Sequence, residues 1–525
     1  MSSVEISVEN VPHLPAPKPV EPCIVVVFGA TGDLSRRKLL PALFDLVAGG
    51  LLSAPVEVLG VGRSRVELEQ FRNTLRDSTE RSRDSHRFTP ARWKEFARHL
   101  HYLSGDLEAP EFYQALRARL NELEAGGAKP NVLFYLSVPA SAAPAIIRHL
   151  GDSGLARAEK GWTRIIVEKP FGRDLQSARA LNQTLLGAFD EEQIFRIDHY
   201  LGKQTVQNIL VFRFANSLFE PVWNRNYVDF VEITGGETLG VESRAAFYEE
   251  TGALRDMVAN HMLQLLTLTA MEPPVAFDAQ NVREQKVQTL RAMLPMSPAE
   301  VARRTVRAQY AAGKIGSQQV KGYREEPGVA PGSQTETYAA IEFRVENWRW
   351  AGVPFYVRTG KRLARSLTEI AVHLKPTPQA LFAAGEKHNI QPNVVMLRIQ
   401  PDEGISIEFE AKVPGTSMQT ATVHMDFCYQ REFRAPAPVA YETLLLDAMR
   451  GDATLFTRHD EVEAEWRLIT PILDAWADKV NELRFYPAGS EGPAEANELL
   501  QRNGHAWRSL AGKYLGSCAK LDPTA

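Results

Sequence analysis

Residues 23–34 read CIVVVFGATGDL, and this stretch decides the fold. Cys23 to Phe28 is an unbroken β-branched run without polar alternation, the pattern of a strand buried on both faces inside a parallel sheet. Gly29-Ala30-Thr31-Gly32-Asp33-Leu34 follows at once, and Leu39, Leu40, Leu43, Leu46 and Val47 then recur at helical spacing. A strand, a tight glycine turn and a helix open a dinucleotide-binding βαβ unit, in which glycine lets the backbone approach a pyrophosphate at the helix N-terminus. Only two glycines of GxGxxG are present, and an ordinary strand-to-helix turn reads alike, so the motif needs support from the rest of the chain.

Support comes from the second strand, Val56 to Val61, which ends at Gly62-Arg63-Ser64-Arg65. An NAD-specific protein usually places an acidic residue there for the ribose 2′-hydroxyl. Arg63 instead presents a planar donor fork suited to a 2′-phosphate, which favours NADP over NAD. Alternation continues with a polar helix near 91–101, a strand 101–104, a helix 110–124, a strand 131–138, a helix near 142–150 and a strand 164–168. That order predicts a parallel, doubly wound sheet.

Past about residue 200 the period changes. After helical stretches near 203–213 and 251–271, alternation of period two dominates: Ile341, Phe343, Val345; Ile370, Val372, Leu374; Val395, Leu397, Ile399; Ile405, Ile407, Phe409. This predicts an antiparallel sheet with one buried face. Glu342, Arg344, His373, Lys375, Arg398, Glu408 and Glu410 make the other face polar, fit for water or a partner subunit. Helices near 438–450 and 459–480 are expected to cover the apolar side. The fold class is therefore α/β plus α+β: a Rossmann-like dinucleotide-binding domain with a parallel sheet over 23–199, and a β+α domain with a large, mostly antiparallel sheet over 200–525.

Composition narrows the function. The 525 residues carry 60 basic and 64 acidic side chains, a net charge of −4, too near neutral for a broad nucleic-acid surface. No apolar run approaches the roughly 18 residues of a membrane span. Cys23, Cys428 and Cys518 are odd in number and scattered, which argues against a disulfide framework or a cysteine zinc site. Together with an N-terminus unlike a signal peptide, this points to the cytoplasm. Residues 1–22 hold Pro12, Pro15, Pro17, Pro19 and Pro22 with few large apolar side chains, the composition of a disordered tail.

Polar chemistry gathers at three places. Strand 164–168 delivers Lys169 to the C-terminal sheet edge, where ligands bind in such folds. Arg196-Ile197-Asp198-His199-Tyr200-Leu201-Gly202-Lys203 precedes a helix, and its imidazole, phenol and ammonium suit a phosphate monoester, although such groups also serve as simple caps. Asp256 and His261 lie in an apolar helix five residues apart, about 500° of α-helical rotation or about 140° between side chains, so they cannot share one face. His261 therefore needs a carboxylate from elsewhere. Glu237 and Arg358-Thr359-Gly360-Lys361 read as ordinary strand-edge residues.

Seven segments then coincide. GATGDLSRRK (29–38), EKPFGRDLQSA (168–178), RIDHYLGKQTVQNI (196–209), FRFAN (212–216), WNR (223–225), DMVANHMLQLL (256–266) and VPFYVRTGKRL (353–363) resemble, in order and spacing, the glucose-6-phosphate dehydrogenase family. The resemblance runs from about residue 22 to about 500. It implies oxidation of glucose 6-phosphate at C1 to the 6-phospho-δ-lactone with reduction of NADP, the first step of the oxidative pentose phosphate pathway. It also implies a homodimer or homotetramer formed through the large sheet. Carried over, it makes His261 the general base and Asp198 its partner, the carboxylate raising the imidazole's basicity slightly. His199, Tyr200 and Lys203 would grip the 6-phosphate with Lys361. Glu237 and Asp256 would accept from sugar hydroxyls, and Lys169 would lie between sugar and coenzyme. Arg365 joins the substrate set one place away from where some members have a basic residue. Gly29, Ala30, Thr31, Gly32, Asp33 and Leu34 would line the coenzyme turn, with Arg63 on the 2′-phosphate. No metal is expected, and the C-terminal tail does not match a second, structural NADP site. The rival readings are a non-catalytic NADP-binding relative acting as a sensor or assembly partner, and a dehydrogenase for another aldose phosphate.

Overall fold

Ile24–Phe28 forms β1, wholly buried at the middle of a six-stranded parallel sheet. The computed structural model describes residues 20–510 apart from 53–55, 83, 84, 86, 379–389, 417 and 434–438. β2 (Glu57–Gly62), β3 (Leu100–Ser104), β4 (Val132–Leu136), β5 (Thr163–Glu168) and β6 (Ile194–Ile197) complete this sheet in the order β3-β2-β1-β4-β5-β6. The order reverses between β1 and β4, and that crevice is where a doubly wound sheet takes its ligand. Helices Leu68–Glu80, Leu175–Ala188 and the strand β6 add to the elements expected from sequence.

The second sheet has nine strands. They are β7 (Val228–Gly236), β8 (Thr305–Ala311), β11 (Tyr338–Arg344), β12 (Pro354–Gly360), β13 (Leu367–Leu374), β14 (Val394–Gln400), β15 (Gly404–Lys412), β16 (Thr420–Cys428) and β17 (Arg484–Pro487), with a separate small ribbon of β9 (Gly313–Ile315) and β10 (Gln318–Val320). Their order is β16-β15-β14-β13-β7-β12-β11-β8-β17. Most pairs are antiparallel, as expected; β12 with β7 and β17 with β8 run parallel. β7 and β12 end side by side at Gly236 and Gly360, so Glu237 and Lys361 emerge together from adjacent strands.

Three expectations are corrected. The helix Ala440–Arg450 does not cover the second sheet; its Leu444, Leu445 and Met449 pack with Val25, Val27 and Leu43 in the core of the first. Of the two helices it is His459–Ala477 that joins the core of the second sheet, through Trp466, Ile469 and Ile472. The polar face of that sheet is not simply wetted. Glu232, Arg358 and Arg398 are buried, and Phe230 is stacked between His373 and His505 at 4.0 and 4.2 Å. Arg508 donates its backbone N–H to Glu232 and its side chain to Glu408, so the chain after residue 500 folds back over this face. Finally, Cys428 is disulfide-bonded while Cys23 is free and buried, so the scattered cysteines are not all thiols. Residues 1–19 of the expected tail lie outside the described residues; Val20 is buried and bridges Leu52. No helix among the described residues is long and apolar enough to cross a membrane.

Candidate active site

Gly29 adopts φ +79°, and a Cβ there would collide with the carbonyl oxygen of Ser137 at the end of β4. Only glycine fits this close approach. Ser35 fastens the turn from the other side, donating to the Gly29 carbonyl at 3.1 Å and contacting the Ser137 hydroxyl at 2.9 Å. The turn opens onto a cavity of about 550 Å³ lined by Gly29, Thr31, Gly32, Gly62, Arg63 and Ser64, together with Asp106, Glu108 and Ser137. The glycine cradle fits the pyrophosphate of a dinucleotide, and the rim carries Arg63 beside Asp106 and Glu108. Ala30 is instead buried in the core, Asp33 is exposed and pairs with Arg37 at 3.5 Å, and neither Asp33 nor Leu34 lines the cavity. Asp106, Glu108, Ser137 and Ser35 were missed by the sequence reading. The ends of β3 and β4 at the C-terminal sheet edge were the signal that could have found the first three.

Across the crevice, Nδ1 of His261 lies 2.5 Å from Oδ1 of Asp198, and both side chains are buried. The carboxylate that His261 lacks within its own helix thus comes from the loop after β6. Asp198 also accepts the Tyr200 backbone N–H at 2.9 Å, which fixes its rotation. Nε2 of His261 lies 3.0 Å from Nζ of Lys169. With an ammonium on that side Nε2 carries the lone pair and Nδ1 the hydrogen, a tautomer assigned from these partners.

The separation of about 140° on an α-helix does not apply to Asp256 and His261, for a definite reason. Leu254–Met262 is a π-helix, whose i→i+5 hydrogen bonding widens each turn and brings residues five apart close to one line. Asp256 and His261 consequently do share a face: Lys169 Nζ donates to Asp256 Oδ1 at 3.1 Å while touching His261.

Burial lowers the basicity of His261 more than Asp198 and its hydrogen bond raise it, with Lys169 adding to the fall. The carboxylate raises the imidazole as expected, and burial outweighs it. Burial alone would raise the Asp198 carboxyl, but the charge and hydrogen bond of His261 hold it well below the usual carboxylate range. His199 is pushed well below its ordinary value, first by burial and then by the charge of His261. Burial likewise lowers the Lys203 ammonium to about 8, against the charges of Asp198 and Glu403. Burial would raise Asp256; Lys169 and then Lys361 overcome it and hold the carboxyl low.

The octapeptide encloses this centre. Tyr200 stacks on the His261 ring with centroids 4.2 Å apart, and His199 meets the same ring edge-on at 4.6 Å. The Lys203 ammonium sits 3.8 Å over the Tyr200 ring and donates to Gln400 at the end of β14. Lys361 pairs with Glu237, and Asp256 feels the Lys361 charge, so these strand-edge residues lie beside the same cluster. Arg365 stands aside, 3.6 Å from Asp402. Asp198, His199 and His261 offer three ligand atoms within 4.8 Å of one another. The Lys169 ammonium beside His261 and the Lys203 charge felt by His199 oppose a cation at that spot.

A glycine-turned parallel sheet facing a mixed sheet, with a buried His–Asp pair and a lysine in the crevice, defines a two-domain dehydrogenase of the nicotinamide-dinucleotide class. The model of the "Glucose-6-phosphate dehydrogenase, NAD binding domain" matches residues 26–208, and that of the "Glucose-6-phosphate dehydrogenase, C-terminal domain" matches 210–508. The chain is 45 % identical over 493 residues to glucose-6-phosphate 1-dehydrogenase of Aggregatibacter actinomycetemcomitans, covering 94 % of this chain and 98 % of that one. It is also 45 % identical over 493 residues to the enzyme of Treponema pallidum, covering 93 % and 95 %. A solved glucose-6-phosphate dehydrogenase in complex with its substrate glucose 6-phosphate superposes with a TM-score of 0.85 at 34 % identity, over 93 % of this chain and 99 % of that one. The chain belongs to the glucose-6-phosphate dehydrogenase family.

Proposed function

We propose that the chain oxidises glucose 6-phosphate at C1 to 6-phospho-δ-lactone with NADP as coenzyme. The observation that carries this reading is the His261 imidazole, whose Nδ1 is held by Asp198 while Nε2 faces Lys169. Nε2 removes the proton of the C1 hydroxyl, and Asp198 stabilises the imidazolium that results. Lys169 donates toward the same oxygen and offsets the negative charge that builds there. When bound, the nicotinamide coenzyme accepts the hydride from C1. Gly29, Thr31 and Gly32 hold its pyrophosphate and Arg63 its 2′-phosphate. His199, Tyr200, Lys203 and Lys361 bind the 6-phosphate, Glu237 and Asp256 the ring hydroxyls, and Arg365 lies at the outer rim. The reading includes a cytoplasmic homodimer or homotetramer. Its support is the half-buried outer strands β15 and β16, with Met425 exposed on β16 and Val413, Met418 and Phe433 exposed beside the two strands.

The test is formation of reduced coenzyme from glucose 6-phosphate, beside galactose 6-phosphate and unphosphorylated glucose. Oxidation of glucose 6-phosphate in preference to both is expected. Folded protein with no activity on it would overturn the reading, and light scattering of the same sample reads the oligomeric state.

A further inference from the structure

Behind the dyad lies a second polar cluster that the reaction above leaves unused. Gln264, three residues beyond His261, donates from one amide nitrogen to Oε1 of Glu461 at 2.8 Å and to Oε1 of Glu465 at 2.7 Å. Glu461 and Glu465 sit on the helix His459–Ala477, and both are buried with Gln264. A single ammonium, Lys286 from the helix Ala279–Arg291, pairs with Glu461 at 2.7 Å, with both side chains at most 1 % exposed. The cations favour Glu461, which pairs with Lys286 and is felt by Arg283, whereas among the described residues Glu465 makes no ion pair; buried carboxyls brought together by one donor share a proton rather than both ionise.

The charged groups that face Glu465 are few. Glu461, Lys286 and Asp198 act on it directly, and Arg283 acts on Glu461. Arg179 on the packed helix 175–188 is taken by Glu463, Arg304 on helix 298–304 by Glu300, and Arg196 of β6 by Glu191. Arg255 on the π-helix donates to the Arg173 carbonyl, and Asp256 is held by Lys169. Burial first, then the charges of Glu461 and Asp198, push the Glu465 carboxyl well above the usual range, against Lys286 and Gln264.

We propose that Glu465 is held as a neutral carboxylic acid at neutral pH, so that Asp198 does not share its surroundings with a second carboxylate charge and His261 remains a free base. A charge on Glu465 would stabilise the imidazolium and keep His261 protonated when it must accept a proton. Glu465 is thus a positioning residue for the charge state of the dyad, acting without touching substrate. The role for His261 rests on the proposed function; the protonation of Glu465 does not.

The experiment combines infrared difference spectroscopy with pH profiles. Wild type minus E465Q at neutral pH should show the carbonyl band of one protonated, buried carboxylic acid, whatever the substrate. The acid limb of kcat/KM should move by less than about 0.2 unit in E465Q. In E461Q/E465Q, with the Glu461 charge opposite Lys286 removed as well, it should move to lower pH by about half a unit or more. Absence of the carboxylic-acid band, or an acid limb displaced as far in E465Q as in the double variant, overturns the proposal. If the double variant does not fold, the band and the single variant decide alone.

Discussion

Asp256 and His261, five residues apart in the chain, both reach the Lys169 ammonium, at 3.1 and 3.0 Å. On an α-helix they would point apart; the π-helix Leu254–Met262 aligns them. One lysine at the end of β5 therefore bridges the Asp256 carboxylate and the proposed base, and it ties the first sheet to the π-helix.

His261→Ala should lower kcat by about 100-fold or more, the usual worth of a positioned base, while the Michaelis constant for glucose 6-phosphate changes little. Steady-state production of reduced coenzyme reads both. Activity near wild type would remove His261 from the role of base.

The acid limb of kcat/KM should fall below the ordinary histidine value of 6.5, because burial depresses His261. The neutral imidazole is the active form, so activity is present above the depressed value and is lost as pH drops through it. A limb above 6.5 would show that Asp198 outweighs burial.

Lys203, lowered to about 8, is charged below that pH and neutral above it. The Michaelis constant for glucose 6-phosphate should therefore climb as pH rises past about 8 in wild type. In Lys203→Arg, whose guanidinium does not titrate in this range, it should stay level whatever its starting value. Parallel profiles for the two proteins would take Lys203 out of the phosphate grip.

Arg63→Ala should raise the Michaelis constant for NADP by about 10-fold or more, the scale of one charge-assisted hydrogen bond, and that for NAD much less. Equal effects would mean that Arg63 does not read the 2′-phosphate.

Gly29→Ala should cost about 1–3 kcal/mol of stability through its left-handed backbone, as well as coenzyme affinity, since the new Cβ meets Ser137. Thermal melting with and without NADP separates the two effects. A variant that melts like wild type and binds coenzyme normally would show that the turn tolerates a side chain.

Local pattern carried what depends on neighbours in the chain. The apolar run Ile24–Phe28, the glycine turn after it and the change of period past residue 200 determined two sheets of different kind, because strand burial and side-chain alternation are written residue by residue. The RIDHYLGK stretch placed an imidazole, a phenol and an ammonium before a helix, groups that suit a phosphate and serve equally as caps. Tertiary structure decided the rest. That Asp198 is the partner of His261 in space depends on how β6 lies against the π-helix, sixty-three positions along the chain. The helix Ala440–Arg450 packs on the first sheet and not the second because its apolar stripe fits either, and only the assembled cores choose. The fall in His261 basicity is a property of burial, which no residue carries alone: the sequence supplies an imidazole and a carboxylate, and the fold sets the dielectric around them.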